Sequence, residues 1–286
     1  MIRLLSINWN VDPVFFSLGS IHIRYYSICW ILCFVASYII FKKIFEKENL
    51  KRELLDKLTL NYIIPLTFIG ARVGHCLFYE AAYYLQYPWE IILPVHDGKF
   101  TGYAGLASHG AALGILLGLW LFCRRYKKHY IWSLDRIAVA IPVAGAIVRF
   151  GNLMNSEVYG HATNLPWGFV FVQAGETVPA HPTQIYEMLA YILVFAVVYY
   201  LFFKKDMGIK KPGAVFGIFL IGLFTARFLI EFVKENQVDF ERQMSLNMGQ
   251  WLSVPFIVTG IIILVYSLQK NVSVTVKKVN KQSLKH

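Results

Sequence analysis

Three arginines lie within or at the edge of long apolar stretches, where a charged side chain is costly. They are Arg72, Arg149 and Arg227. An arginine near a bilayer centre costs about 2.5–3.5 kcal/mol even on a lenient scale, so it is kept where it faces a cavity, an anionic partner or a polar ligand. A guanidinium donates paired hydrogen bonds and keeps its charge. Together the three predict a phosphate site, and a lipid headgroup is the phosphate met at that depth.

Four glutamates, Glu80, Glu157, Glu187 and Glu231, lie near these arginines, each close to the end of an apolar stretch. Arg227 and Glu231 are four residues apart, a spacing that puts both on one face of a helix. For any single pair, a structural ion pair that locks two helices together explains the sequence as well as a binding site does. The arginines taken as a set favour the binding site.

The densest polar run extends from Arg149 to Gly160. If the preceding helix continues through it, polar side chains recur at helical spacing and form a stripe that faces neighbouring helices. These residues are Arg149, Asn152, Ser156 and Tyr159, with Asn155 alongside. Asn and Ser also hydrogen-bond between membrane helices without binding a ligand. The charge of Arg149 and the flanking Gly151 and Gly160 favour a site.

Two histidines begin apolar stretches. His109 has small neighbours that let another group approach, so its neutral imidazole could accept a proton near the membrane surface. A single histidine is more often structural. His181 opens a run in which Pro182 suits the first helical turn, and Thr183 and Gln184 can satisfy neighbouring polar groups. We predict that this run starts a helix and closes the pocket.

The elements that position these residues are predicted to be membrane helices. The 286 residues are 57% hydrophobic and only 16% charged, whereas a soluble domain carries about 25% charged residues. A bilayer core needs about 20 apolar residues per helix. Seven stretches qualify, near 21–41, 60–79, 109–123, 134–153, 185–203, 212–233 and 251–268. We expect an all-α, polytopic integral membrane protein with seven transmembrane helices and a single membrane domain over residues 1–286.

Basic residues mark one side of the membrane. Lys and Arg cluster in 42–59, 124–136, 204–211 and the tail from 269, and are scarce in 80–108, 154–184 and 234–250. The positive-inside rule then puts the N-terminus outside and the C-terminus in the cytoplasm. The segments 80–108 and 154–184 are rich in Gly, Pro, Tyr and Trp, and we predict that they form small ordered caps on the outer face.

The same distribution argues against nucleic acid as a partner, because the net charge of +11 comes from short clusters at the ends of apolar stretches. The four cysteines are Cys29, Cys33, Cys76 and Cys123. They lack clustered His partners, so we expect small buried hydrophobic residues, no metal and no cofactor. Tyr25 and Tyr26 open the first stretch, and an interfacial aromatic belt is the default explanation for Tyr25.

Several motifs resemble, in the same order, those of the bacterial prolipoprotein diacylglyceryl transferases. The run from Arg149 to Glu157, ending at Gly160, looks like the family signature. Ser108-His109-Gly110 resembles a His-Gly element, and residues 181–187 resemble an outer-loop-to-helix motif. Gly70-Ala-Arg72, the run from Arg227 to Glu231, and Met248-Gly-Gln250 also match in kind and order. The resemblance covers about residues 20–268.

This resemblance implies transfer of a diacylglyceryl group from phosphatidylglycerol to the lipobox cysteine of a prolipoprotein signal peptide. Glycerol phosphate is released, and the reaction takes place in the bacterial cytoplasmic (inner) membrane among its lipids. By position, the resemblance makes Arg149 and Arg227 the essential arginines and His109 the proposed base. We predict that His109, Arg149, Arg227 and Tyr26 are catalytic. We predict that Arg72, Arg149, Asn152, Asn155, Glu157, Gly160, His181, Gln184 and Glu231 bind substrate.

The sequence departs from the family pattern at three positions. Val148 stands where the family usually has Gly, and Ala111 where a second Gly often follows the His-Gly pair. Leu223 stands where a Tyr is often found, four residues before the second arginine. The last departure removes a candidate hydroxyl from the mechanism.

Other functions are compatible with a polar interior. A non-catalytic lipid transporter or scramblase would favour internal repeats and a polar path through both halves of the bilayer, whereas these polar residues fall in the outer half. An intramembrane hydrolase needs a Ser–His, Asp–Asp or His-Glu-x-x-His constellation, and Ser108 beside His109 is the nearest approach. A non-catalytic assembly protein is a further alternative.

Overall fold

The computed structural model describes residues 6–19, 21–93, 95–96, 99–100, 105, 107–235 and 244–269, and it is mostly helical. The helices are α1 (Tyr25–Lys47), α2 (Arg52–Lys57), α3 (Ile64–Phe78), α4 (Ala81–Gln86), α5 (Ser108–Arg125), α6 (Tyr130–Met154), α7 (Thr183–Phe203), α8 (Met207–Lys210), α9 (Ala214–Ile230) and α10 (Met248–Gln269). A π-helical segment, Leu58–Ile63, leads into α3, and 3₁₀ turns lie at Pro88–Ile91, Val172–Ala174 and Glu231–Val233.

Five helices of the described residues are long and apolar enough to cross a membrane, as an integral membrane protein requires. They are Tyr25–Lys47, Tyr130–Met154, Thr183–Phe203, Ala214–Val233 and Met248–Gln269. The other two predicted spans, 60–79 and 109–123, also fall on helices, α3 with its π-helical segment and α5. At 1.5 Å per residue α3 alone covers only about 22 Å, less than a bilayer core. The count of seven spans stays a prediction.

The chain divides into two compact units. Unit 1 comprises Met1–Tyr26 and Arg149–His286, and unit 2 comprises Ser27–Val148. The boundaries fall inside α1 and α6. The expected single membrane domain over residues 1–286 stays a prediction.

In unit 2, glycines let α3 and α5 approach at backbone distance. A Cβ on Gly74 would lie 2.8 Å from the Cα of Gly110, and one on Gly114 would collide with the carbonyl group of Leu66. Small residues at such crossings are typical of membrane helices, where close backbone packing replaces the hydrophobic driving force. The Gly-rich sequence of α5 is therefore a packing requirement.

Unit 2 also contains a buried ion pair that the sequence did not predict. Arg136, which we placed in a basic connection, lies within α6, where its side chain is 2% exposed and pairs with Glu48. The indole of Trp132 donates to the other carboxylate oxygen of Glu48 at 2.9 Å. A buried charge is retained when a partner and hydrogen bonds satisfy it. Arg136 therefore stabilises the packing of α6 next to Glu48, beyond the end of α1.

Small strands accompany the helices in unit 1. They are β1 (Ile7–Trp9), β2 (Val14–Leu18), β3 (Ile21–Arg24) and, after α6, β6 (Phe169–Phe171); β4 (Val95–His96) and β5 (Lys99–Phe100) belong to unit 2. β1 pairs in parallel with β6, and β2 pairs antiparallel with β3. The segment 154–184 contains β6 and a 3₁₀ turn, and the N-terminal strand β1 pairs with it, which the sequence did not indicate. An ordered cap on the outer face stays a prediction. The predicted cap at 80–108 lies partly outside the described residues.

A compact apolar cluster holds this part of unit 1 together. Leu153 and Met154 at the end of α6 pack with Phe169 and Phe171 of β6 and with Ala180. The indole of Trp9 packs against the cluster and donates to the carbonyl of Leu153 at 2.9 Å. This cluster anchors the segment 155–182, which we call the cap.

The close approach of α3 and α5 generates a prediction. Gly114→Val should lower the free energy of unfolding by about 1–3 kcal/mol, because the added methyl groups meet the Leu66 backbone and cannot displace it cheaply. Thermal unfolding in detergent measures the effect. Ala112→Val, on an exposed position of the same helix, is the matched control and should be near neutral. Equal melting temperatures for the two variants would contradict this packing.

Candidate functional site

Arg149 lies near the C-terminal end of α6, where it pairs with Glu187 of α7. The Glu187 side chain is 1% exposed, so the ion pair is almost completely withdrawn from solvent. Arg149 also donates from Nη1 to the Asn152 side-chain oxygen at 3.1 Å, and it interacts with Tyr191, one turn further along α7. The guanidinium is therefore fixed by at least three neighbours of its own unit.

Lys234 is the functional-site residue that the sequence analysis missed, because we counted it as a basic residue of the connection 234–250. Its side chain is 2% exposed. Its Nζ lies 3.3 Å from Glu187 Oε1 and 3.2 Å from Glu231 Oε1. The spacing of three residues between Glu231 and Lys234 was the available signal, since it matches the pitch of a 3₁₀ turn. Lys234 bridges the two buried carboxylates.

Arg227 and Glu231 form the ion pair that their spacing predicted, with Arg227 Nε 3.7 Å from Glu231 Oε1. Asn247 also donates to the other oxygen of Glu231, at 3.2 Å. A Cβ on Gly249 would collide with the Glu231 carboxylate. The carboxylate is therefore held from several sides.

The contacts of Arg227 are much looser than those of Arg149. Its side chain is 30% exposed, and its long contact with Glu231 is the one ion pair that it makes within the described residues. No hydrogen bond of the described residues occupies its guanidinium. Arg227 is thus the cation of this cluster with donors available to a ligand.

The polar stripe predicted over 149–160 is only partly present, because α6 ends at Met154. Ser156 and Val158 have positive φ values of 53° and 63°, so the chain turns back. The turn brings Glu157 beneath the helix end, where it accepts hydrogen bonds from Asn152 at 2.8 Å and Asn155 at 3.3 Å. Asn152 thereby connects Arg149 to Glu157.

Three buried polar atoms beside this turn have no hydrogen-bond partner among the described residues. They are Asn155 Oδ1, Ser156 Oγ and Gln184 Oε1. The amide nitrogen of Gln184 is used, since it donates to the Glu157 carbonyl at 2.7 Å. Buried acceptors without partners are uncommon and call for a donor from water or a ligand.

Gly160 and His181 hold the backbone of the cap in place. The Gly160 N–H donates to the His181 carbonyl at 2.8 Å, and Gly160 bridges Lys234 on its other side. A Cβ on Gly160 would collide with the Val233 carbonyl. The close approach explains why this position takes glycine, and it couples the cap to the segment that carries Lys234.

Two titratable groups of the cap have shifted pKa values. Burial, followed by the hydrogen bond that the Tyr159 hydroxyl donates to Glu176 at 2.6 Å, raises the pKa of Tyr159 to about 12. Burial, followed by the charge of His161, lowers the pKa of His181. Tyr159 also stacks on Phe171. It is therefore a cap-packing residue rather than a member of a helical stripe.

The remaining predicted residues are Arg72, His109 and Tyr26. Arg72 and His109 lie in unit 2, and Tyr26 is partly buried near the start of α1. Arg72 is 7% exposed and donates to the carbonyls of Ile91 at 3.1 Å and Glu90 at 2.7 Å. These contacts hold the 3₁₀ turn at 88–91, so substrate binding by Arg72 stays a prediction.

His109 is exposed at the second residue of α5, and within the described residues it makes no hydrogen bond or ion pair. Its imidazole is therefore open to an approaching group. No three His, Cys, Asp or Glu side chains of the described residues lie close enough to hold a metal ion.

Unit 1 thus carries three cations, Arg149, Arg227 and Lys234, beside two buried carboxylates, Glu187 and Glu231. Such a cluster attracts an anion most strongly where its N–H donors are not already hydrogen-bonded within the protein. The fold and this cluster define a class: a multi-pass membrane protein that carries a group of cations beside two buried carboxylates.

Comparison with known proteins gives the family. Residues 13–266 match the profile of the prolipoprotein diacylglyceryl transferases. A phosphatidylglycerol–prolipoprotein diacylglyceryl transferase of Bacteroides fragilis is 46% identical over 263 residues, which cover 90% of this chain and 94% of that protein. The enzyme of the same name from Porphyromonas gingivalis is 40% identical, with 93% and 96% covered, and that from Tolumonas auensis is 39% identical, with 92% and 98% covered. The chain belongs to the prolipoprotein diacylglyceryl transferase family.

The bridging position of Lys234 generates a prediction. Lys234→Met should destabilise the protein by about 3–5 kcal/mol, because Glu187 and Glu231 stay buried but lose the cation that both of them contact. Chemical unfolding in detergent measures the change. Lys234→Arg should recover most of it, and Lys204→Met, at an exposed lysine, is the control. A Lys234→Met variant within about 0.5 kcal/mol of the parent would contradict the bridge.

The lowered pKa of His181 predicts a pH dependence. In the unfolded chain the imidazole takes up its proton near the usual pKa of 6.5, before the folded protein does. The stabilisation is therefore present above pH 6.5 and is lost as the pH falls through the folded pKa.

Melting temperatures measured from pH 7.5 to pH 5 test this. The fall on acidification should be smaller in His181→Gln than in the parent protein. His129→Gln, at an exposed histidine, should leave the parent profile unchanged. An identical acid limb in His181→Gln and the parent would show that this group does not contribute.

Proposed function

We propose that this chain transfers the diacylglyceryl group of phosphatidylglycerol to the thiol of a prolipoprotein lipobox cysteine. This is the first step of bacterial lipoprotein maturation. Membership of the family supports the reaction. The observation that supports the site is the cation cluster of unit 1, in which Arg227 makes fewer contacts within the described residues than Arg149 or Lys234. The relatives carry a transferase name, and no feature of the described residues favours a transporter or scramblase.

In this reaction the cysteine sulfur attacks the glycerol carbon that carries the phosphate. A carbon–sulfur thioether bond forms while the carbon–oxygen bond to phosphate breaks. The thiol proton passes to a base, and glycerol phosphate leaves with the bonding electrons. A thiolate is the better nucleophile, and cations aimed at the departing phosphate lower the barrier as its charge grows.

Arg227 and Arg149 have different roles in this proposal. Arg227 holds the phosphate directly, since its side chain is partly exposed and its one ion pair within the described residues is the long contact with Glu231. Arg149 is committed to Glu187 and Asn152. It adds positive field and keeps Asn152 and Glu157 in position. Glu231 forms ion pairs with both Arg227 and Lys234, and it orients the Arg227 side chain.

The unsatisfied acceptors near Glu157 suit the rest of the headgroup. The glycerol of phosphatidylglycerol carries hydroxyl donors, and Asn155 Oδ1 and Gln184 Oε1 are buried acceptors that lack donors within the described residues. Recognition of a hydroxyl by an otherwise unpaired buried acceptor discriminates strongly against headgroups that lack it. These amides would therefore select phosphatidylglycerol.

His109 is our proposed base, with an exposed imidazole at the start of α5. Tyr26 and Arg72 are proposed at the substrate as the family resemblance implies. Gly160 and His181 support the site through the cap backbone. Leu223 lies in α9 one turn before Arg227, so no hydroxyl is available from this position.

The proposed arrangement in the bacterial cytoplasmic membrane has seven spans, with the N-terminus outside and the C-terminus in the cytoplasm. The basic connections favour it. The cap and the cation cluster would then face the outer leaflet, where a secreted prolipoprotein presents its signal peptide.

The reaction is tested with purified protein, phosphatidylglycerol and a lipobox peptide, by following the peptide mass. We expect a diacylglyceryl gain on the cysteine peptide and none on a peptide with serine in its place. No gain from folded protein with any phospholipid would overturn the proposal.

The proposed roles of the arginines generate a further prediction. Arg227→Lys should reduce kcat/KM for phosphatidylglycerol by about 10- to 100-fold, because lysine keeps the charge but loses the planar fork. Its melting temperature should stay close to that of the parent. Arg149→Lys should lower both activity and melting temperature, since the Glu187 pair is buried. Arg24→Lys, at an exposed residue of β3, is the control. Full activity in Arg227→Lys would exclude a bidentate phosphate contact.

A further inference from the structure

A groove in unit 2 lies at the end of α5 that is remote from His109. It is shallow and largely open to its surroundings, with a volume of about 560 Å³. It is lined by Tyr62, Trp120, Leu121, Arg124, Arg125 and Lys127. With a rise of 1.5 Å per residue, the arginines are roughly 24 Å along the helix from His109. The groove is therefore separate from the proposed base.

The three basic residues of the groove are unneutralised. Within the part of the chain that the structure describes, Arg124, Arg125 and Lys127 make no ion pair with a carboxylate, whereas nearby Lys57 pairs with Glu53 at 2.5 Å. The Arg124 guanidinium lies 5.0 Å from the centre of the Trp120 ring. A cation–π contact holds a cation in place without cancelling its charge.

The aromatic wall of the groove is held by packing and by an unusual backbone. Tyr62 belongs to the π-helical segment before α3, and its ring meets Phe122 edge-on at 5.7 Å and Tyr126 at 6.4 Å. π-Helical insertions are rare and are frequent at functional sites. Tyr62 makes no hydrogen bond within the described residues, so its hydroxyl is available to a ligand.

Lys127 occupies a position that normally takes glycine. Its φ is 51°, and the N–H of Lys128 returns to the carbonyl of Cys123 at 3.0 Å, which is the pattern of a helix C-terminus closed by a left-handed residue. A lysine there costs backbone energy that glycine would not. Its presence at the groove favours a role for the charge.

We propose that this groove binds the phosphate of an anionic glycerophospholipid from the cytoplasmic leaflet. The three cations, which make no ion pair with a carboxylate among the described residues, suit the negative charge of a phosphate. Trp and Tyr side chains, such as those of Trp120 and Tyr62, are enriched at the depth of lipid headgroups. Basic pockets between membrane helices on the cytoplasmic side commonly take anionic headgroups. The choice of leaflet rests on the proposed topology, but the binding itself does not.

The test measures retention of phosphatidic acid by native mass spectrometry of the full chain, with phosphatidylcholine as the neutral comparison. The variant Arg124→Gln/Arg125→Gln/Lys127→Gln should lose affinity for phosphatidic acid by at least about tenfold. Lys204→Gln/Lys205→Gln/Lys210→Gln removes equal charge from another basic connection and should change it less than about twofold. Lipid that binds at the cation cluster of unit 1 contributes equally to the signal of all the proteins compared.

Lys127→Gly gives a second variant that keeps the fold. Glycine relieves the positive φ, so the melting temperature should be unchanged or higher while phosphatidic acid retention falls. Both groove variants should retain peptide transferase activity, which separates this proposal from the proposed function. Equal losses in groove and control variants, or equal retention of phosphatidylcholine, would overturn the site. Full displacement by millimolar inorganic phosphate would identify a free phosphate compound as the ligand and overturn the lipid assignment.

Discussion

The buried carboxylates Glu187 and Glu231 are the constraint on which unit 1 depends. Withdrawing an ionised group from solvent costs several kcal/mol unless a cation and hydrogen bonds replace the water. Arg149 takes the place of water at Glu187, and Lys234 takes its place at both carboxylates. Because the Lys234 backbone also bridges Gly160, the charge cluster fixes the end of α6, the start of α7, the end of α9 and the cap together.

This constraint leaves the three cations with different protein contacts, and the function that we propose rests on that difference. Arg149 and Lys234 are paired with buried carboxylates. The Arg227 side chain, in contrast, is 30% exposed, and its one ion pair within the described residues is the long contact with Glu231. A site that must stabilise a departing phosphate needs donors that are fixed in direction before the reaction yet unsatisfied. Glu231 orients the Arg227 guanidinium, and in the described part of the chain no hydrogen bond uses its donors. The transferase activity of the family is the chemistry that such a site can perform.

Hydropathy predicted where the helices lie, because apolar stretches of membrane length are strong local signals. Ionic partners also followed from spacing where both lie on one helix, as for Arg227 and Glu231. The stripe over 149–160 was wrong beyond Met154, since positive φ at Ser156 and Val158 ends the helix without a glycine or proline signal. The contacts of Lys234 with Glu187 and of Arg136 with Glu48, and the pairing of β1 with β6, join residues distant in sequence, so no local pattern reports them. Only the three-residue spacing of Glu231 and Lys234 was a local signal.

In the proposed transfer, headgroup release and thiol modification are one event. This coupling is measured by giving the protein phosphatidylglycerol labelled in its terminal glycerol and a lipobox peptide, and comparing the amounts of labelled glycerol phosphate and modified peptide over time. We expect a one-to-one ratio throughout and no release without peptide. Labelled glycerol phosphate released without a thioether would show that the protein is a lipid hydrolase and would overturn the proposed transfer.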